Sequence, residues 1–176
     1  MALSQHYGLG SRFLAWTRSS KAAAYFGATD FVAQPSNVTE FAIWAFSTAF
    51  DATRKGLTGV SSAFPDRVPV VVTAPYSSNA NLHAQQGVHI ARPITGVKWS
   101  APAERDDLLE HLKNVEDLSQ RLGGSALLKF VVPISEAPTV LWYLAKEGVT
   151  AARLFPGYFG AAQSALKSAL CRKPKQ

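Results

Sequence analysis

Between Arg12 and Phe26 the chain changes its hydrophobic period, and that switch constrains the fold more than any other stretch. Arg12-Phe-Leu-Ala-Trp16 is short, apolar and aromatic, as a buried strand would be. Thr17-Arg-Ser-Ser20 interrupts it, and Ser19 or Ser20 can cap a helix by accepting a hydrogen bond from a first-turn amide. Ala22, Ala23, Ala24 and Phe26 then give that helix a slim face that packs closely. A strand that feeds directly into a small-residue helix points to mixed α and β structure.

The rest of the chain continues that alternation. Asp30 to Val38 reads as a loop around Pro35, and Glu40 to Phe46 as a second strand. Its two faces, Phe41, Ile43 and Ala45 against Ala42, Trp44 and Phe46, are both apolar, which predicts a central position. Ser47 to Arg67 is polar and irregular, suiting a surface excursion or one short helix. Val68 to Thr73 is the clearest strand by β-branching. A turn-rich loop follows from Ala74 to Asn81, and then a strand over Ala84 to Ala91. Gly87 inside that strand allows a bulge or the close approach of a ligand.

Arg105 to Leu122 predicts a helix, because Leu108, Leu109, Leu112, Val115, Leu118 and Leu122 recur at helical spacing before Gly123. Leu127 to Ile134 predicts a strand, and Pro138 opens a helix through Lys146 that stops at Gly148. Val149 to Phe155 reads as extended, and Phe159 to Leu170 as a final helix. The expectation is a single α+β domain over residues 1–170, with flanking helices on a central mixed sheet of about five strands. A basic tail, 171–176, follows it.

With 47% hydrophobic and 17% charged residues in 176, the chain has the composition of one globular domain. Its net charge of +6 and pI near 9.6 favour anionic partners, nucleic acid or a phosphate-bearing cofactor. Arg172, Lys173 and Lys175 supply three of those charges from the tail. A lone cysteine, Cys171, excludes an internal disulfide and a cysteine-based zinc cluster. His6, His83, His89 and His111 have no metal-ligand spacing, so no metal is expected. Neither a Walker loop nor a Gly-x-Ser-x-Gly elbow occurs. No apolar run approaches the roughly 20 residues that span a bilayer, and no signal-peptide core begins the chain. These absences lead to the expectation of a cytoplasmic protein with no membrane partner.

The first thirty residues resemble the signature of the FRG domain, a Gln-His-Tyr/His-Gly-Leu-Pro-Thr-Arg-Leu-Leu-Asp-Trp-Thr run before a helix ending in Phe-Ala. Gln5, His6, Tyr7, Gly8, Leu9, Arg12, Leu14, Trp16, Thr17, Ala24 and Phe26 keep the pattern. Gly10 and Ser11 replace Pro-Thr, and Ala15 replaces the acid. Asn79, Gln86 and Gly87 are similar to the family's Asn-x-Arg…Gln-x-Gly-x-Phe run. Lys129-Phe-Val-Val-Pro133 and Leu154-Phe-Pro-Gly-Tyr-Phe-Gly160 resemble its closing elements. The family's N-terminal Phe/Tyr-Arg-Gly element does not occur, so the expectation is an N-terminally incomplete member.

The order of these segments is similar to the ADP-ribosyltransferase layout, in which an Arg or His and a Ser or Thr hold NAD and a Glu or Gln polarises the ribose. That resemblance implies Thr17 in the second role and Gln86 or Gln85 in the third. The first role is filled by His6 or Arg12, or is vacant. His6 and Arg12 flank Gly8-Leu-Gly10 and could clamp a pyrophosphate, or be plain turn residues. Tyr25, like Trp16, could stack on the cofactor or belong to the core. Glutamine orients a ribose without offsetting the positive charge it develops, and no Asp or Glu lies between Arg67 and Glu104. Two expectations follow. The first is an NAD-dependent ADP-ribosyltransferase-like toxin, prophage or defence protein that modifies a macromolecule. The alternative is a non-catalytic FRG-like module that binds nucleic acid or a protein partner through a basic surface.

Overall fold

In the computed structural model the described residues are 13–32, 39–47, 70–91 and 126–168, together with Lys113, Glu116 and Gln120. They form a mixed helix-and-strand structure in which the first switch of period lies close to where the sequence puts it. Strand β1, Phe13–Thr17, runs into helix α1, Ser20–Val32. Ser19 caps that helix: its Oγ accepts from the Ala22 amide at 3.2 Å, and its carbonyl from the Ala23 amide. Because α1 continues to Val32, the loop expected from Asp30 has helical backbone at its start.

Strand β2, Glu40–Phe46, has the predicted bounds. Strand β3, Val70–Val72, ends one residue before the expected Thr73. A 3-10 turn, Tyr76–Ser78, and a short helix α2, Ala80–Ala84, occupy the loop expected there and the start of the next predicted strand. That strand, β4, begins only at Gly87 and ends at Ala91. Asn79 explains the difference, since its side chain accepts from the Leu82 amide at 2.9 Å and starts a helical turn.

Strand β5, Leu127–Pro133, passes through a 3-10 turn, Ile134–Glu136, into helix α3, Ala137–Lys146. Pro138 sits in its first turn, and Gly148 at φ +75° ends it. Residues Ala151–Leu154, expected to be extended, form helix α4, and Tyr158–Ser168 form helix α5. Of the helix expected over Arg105–Leu122 only Lys113, Glu116 and Gln120 are described, all three helical. The leucines expected to face inward lie outside the described residues, as do residues 33–38, most of the 47–67 excursion and the basic tail.

Two small sheets take the place of one five-stranded sheet among the described strands. β1, β4 and β3 form one, in that order, with β3 antiparallel to β4 through the pairs Val71–Ile90 and Val72–His89. Thr17, β3 and β4 thus belong to one sheet. β2 and β5 form the other. They run antiparallel, because the Ser47 amide donates to the Ala126 carbonyl and the Ile134 amide to the Thr39 carbonyl. A central position for β2 is therefore not what is found: Phe41 is buried, but Trp44 is 47% exposed.

The chain divides into two compact units. In the first, covering described residues 13–15, 44–47, 70–74, 89–91 and 126–128, buried His89 meets the Phe13 ring edge-on at 5.9 Å. Glu116, whose carboxylate accepts from the Ala126 and Leu127 amides, also belongs to it. The second covers described residues 16–32, 39–43, 75–88 and 129–168 and holds one apolar core. Ala22, Tyr25 and Ala28 form one face of α1 at helical spacing, and they pack with Phe41, Ala137, Leu141, Leu144, Ala151 and Leu154. The alanines let α1 approach α3 closely. Lys21 and Glu147 tie these helices at the surface, at 2.5 Å with both side chains about half exposed, a pair that contributes little.

Candidate functional site

Three of the residues singled out by the sequence meet at the end of β1. Thr17 is the last residue of the strand, and its hydroxyl donates to the Gln85 carbonyl at 2.6 Å. The same oxygen accepts from the Ser19 amide at 2.9 Å, closing a turn that aims Ser19 at the start of α1. The Arg18 amide donates to the Gln86 carbonyl at 3.0 Å. Thus the strand end and the α2–β4 turn are joined by both backbone and side chain, across 68 residues of sequence.

Gln85 completes the joint. It follows α2, and its side-chain amide donates to the Leu154 carbonyl at 3.0 Å. Leu154 is the last residue of α4, where a helix leaves its final carbonyls without intrahelical partners. Gln85 is therefore a side-chain cap supplied from elsewhere in the chain. Its own amide donates to the Asn81 carbonyl, so the residue is held at both ends.

Gln86 is the exposed member of the group. It has a φ of +50°, in the left-handed region that costs a non-glycine residue roughly 1–2 kcal/mol. Two backbone hydrogen bonds hold it there, from its amide to the His83 carbonyl and from the Arg18 amide to its own carbonyl. The side chain is thereby presented to solvent on a fixed turn. Beside it, the His83 and Tyr76 rings lie 5.1 Å apart. Tyr76 also donates from its hydroxyl to the Gly87 carbonyl at 3.4 Å.

Gly87 does allow a close approach, but the neighbour is protein. A Cβ at this position would lie 2.3 Å from Leu82 Cδ1 and 3.3 Å from the Leu82 carbonyl oxygen. The glycine therefore lets α2 fold back on the strand it precedes, and the bulge the sequence allowed is a turn.

The remaining predicted site residues are elsewhere. Tyr25 is 4% exposed on the core face of α1, its ring edge-on to Phe26 at 6.0 Å, so it is a core residue rather than a wall open to a cofactor. His6 and Arg12 lie outside the described residues. No group of three or more His, Cys, Asp or Glu side chains able to hold a metal occurs among the described residues. Nor is any helix there long and apolar enough to cross a membrane.

The chemistry open to this group is narrow. Thr17 has spent its one proton on Gln85 and one lone pair on Ser19. Gln85 has committed one amide proton to Leu154. A ligand arriving here would meet the Gln86 amide, which can orient a hydroxyl and cannot act as general acid, base or nucleophile. The resemblance singles out Thr17, Gln85 and Gln86, which the fold brings together. Leu154 has no sequence signal, since its contribution is a carbonyl that any residue would supply.

No family model, no curated protein and no solved structure matches the chain.

Proposed function

We propose that the chain is an FRG-like α+β module that binds nucleic acid and does not catalyse. One observation carries the reading: the Thr17 hydroxyl and the Gln85 amide, the groups that would address NAD in an ADP-ribosyltransferase-like core, are used to hold the module together. A net charge of +6 supports an anionic partner.

A second reading, NAD-dependent ADP-ribosyl transfer to a macromolecule, draws support from Gln86. It is exposed, fixed at a left-handed φ, and placed beside Thr17 and Gln85 by the fold. A five-stranded central sheet and an NAD site formed with His6 and Arg12 belong to this second reading.

Calorimetric titration with NAD separates the two. The binding-module reading expects no heat up to millimolar NAD. It also expects oligonucleotide binding that weakens several-fold or more from low to physiological salt. NAD binding that is lost on Gln86→Ala would establish the second reading and refute the first.

A further inference from the structure

Helix α5 is inside out. Gly160 is buried and Gln163 and Ser164 are partly buried, so these two polar residues lie on the side turned to the protein. The opposite side shows Tyr158, Phe159, Ala161, Ala162, Ala165 and Leu166 to solvent. Tyr158 is 97% exposed, Phe159 66% and Leu166 69%. A surface helix in a globular protein has the reverse arrangement. We infer that this outward face is a stacking platform for single-stranded nucleic acid, an inference that rests on the binding-module reading and gives it a surface.

The aromatic end of the face is fixed rather than loose. Phe159 meets the Phe155 ring edge-on at 5.9 Å, Phe155 meets Phe26 at 5.9 Å, and Phe26 meets the buried Tyr25 at 6.0 Å. This run of rings reaches from the core to the surface and sets the Phe159 ring before any ligand arrives. The helix itself is seated by Gly160, where a Cβ would fall 1.9 Å from the Phe155 carbonyl oxygen and 2.8 Å from that of Ala151.

Charge selects the partner. From Gly148 to Gln176 the sequence has five of the chain's Lys and Arg residues, Arg153, Lys167, Arg172, Lys173 and Lys175, and no Asp or Glu. Exposed Arg153 stands on α4, the helix against which α5 packs. An apolar face set in a wholly basic segment suits a ligand with apolar planes and anionic links, which describes unpaired bases on a phosphate backbone. A duplex hides its base planes and would leave Tyr158 and Phe159 unused.

A second copy fits less well. The strip is about 16 Å long and about 10 Å wide, a fraction of the roughly 800 Å² per partner of a standard interface. Pairing would also bring two basic segments together. A lipid surface fits less well too, because interfacial binding grows with buried apolar area and three of the six outward residues are alanines.

Fluorescence anisotropy of the whole chain with a labelled oligothymidylate, and with a duplex of the same length, tests the platform. The single strand should bind more tightly than the duplex. Tyr158→Ala should weaken it by roughly five-fold or more, Tyr158→Phe should retain it, and Phe159→Ala should weaken it further. Tyr158 is almost wholly exposed, so its variants should unfold at the wild-type urea midpoint. If the wild type binds no oligonucleotide, the binding-module reading falls and the platform with it. If it binds and Tyr158→Ala binds equally well, the platform alone is overturned. Equal affinity for the duplex overturns it too, as does a Tyr158→Ala defect confined to sedimentation with anionic vesicles or to self-association.

Discussion

Removing the Gln85 side chain tests whether this glutamine is a brace or a catalytic group. In Gln85→Ala the Leu154 carbonyl loses its 3.0 Å donor while Leu154 itself is only 3% exposed. A net hydrogen bond contributes about 1 kcal/mol, and a buried acceptor left unmet costs about 1–3 kcal/mol. Gln85 is half-buried, so water can partly replace the amide, and the loss should be about 1–2 kcal/mol. In a chain of this length that lowers Tm by roughly 2–8 °C.

Gln85→Glu sharpens the test. It sets a carboxylate against the Leu154 carbonyl, two acceptors with no proton between them, and should cost more than alanine at neutral pH. The new carboxyl would have a folded pKa above its unfolded value, since only its protonated form can donate to the carbonyl. The penalty is then present above that folded pKa and is relieved as pH falls through it. Urea unfolding of the three proteins at neutral and acidic pH measures both effects. A loss below about 0.5 kcal/mol in Gln85→Ala, or a Gln85→Glu penalty that does not ease in acid, refutes the brace. A glutamine kept only for catalysis would leave stability unmoved.

Gly160→Ala should be destabilising by about 1–3 kcal/mol, because the added methyl meets backbone oxygens rather than a movable side chain; an unchanged urea midpoint would show that α5 is not seated on α4 as described. Burial of His89 pushes its pKa below the usual 6.5, so the unfolded chain takes up the proton first as the medium is acidified. Stability from this residue is therefore full above pH 6.5 and declines as pH falls below that value towards the lower folded pKa. His89→Phe should remove that part of the acid sensitivity, and parallel losses in wild type and variant would count against it.

Elements whose signals are local were legible in the sequence. The Thr17–Ser20 break, the Ser19 cap, the strand from Glu40 to Phe46, and the Pro138 and Gly148 limits of α3 depend on residues within a few positions of one another. The structure departs from the expected elements at two short segments. Asn79 starts α2 at the end of an expected loop and carries it to Ala84, the first residue of an expected strand, and Ala151–Leu154 is helical where extension was expected. At the candidate site the sequence supplied Thr17, Gln85 and Gln86 as a group, but their roles depended on partners 68 and 69 residues away.

The sequence by itself determined the excess of positive charge, its concentration after Gly148, and the absence of a carboxylate between Arg67 and Glu104. Those are properties of composition and spacing, and no packing can change them. Tertiary structure alone decided that Thr17 and Gln85 face each other, that Tyr25 is core, and that α5 turns its alanines and aromatic rings outward. Periodicity marks an apolar face without saying what will cover it. Here the buried side of α5 was settled by a backbone contact at Gly160, where the missing side chain counted for more than the apolar ones.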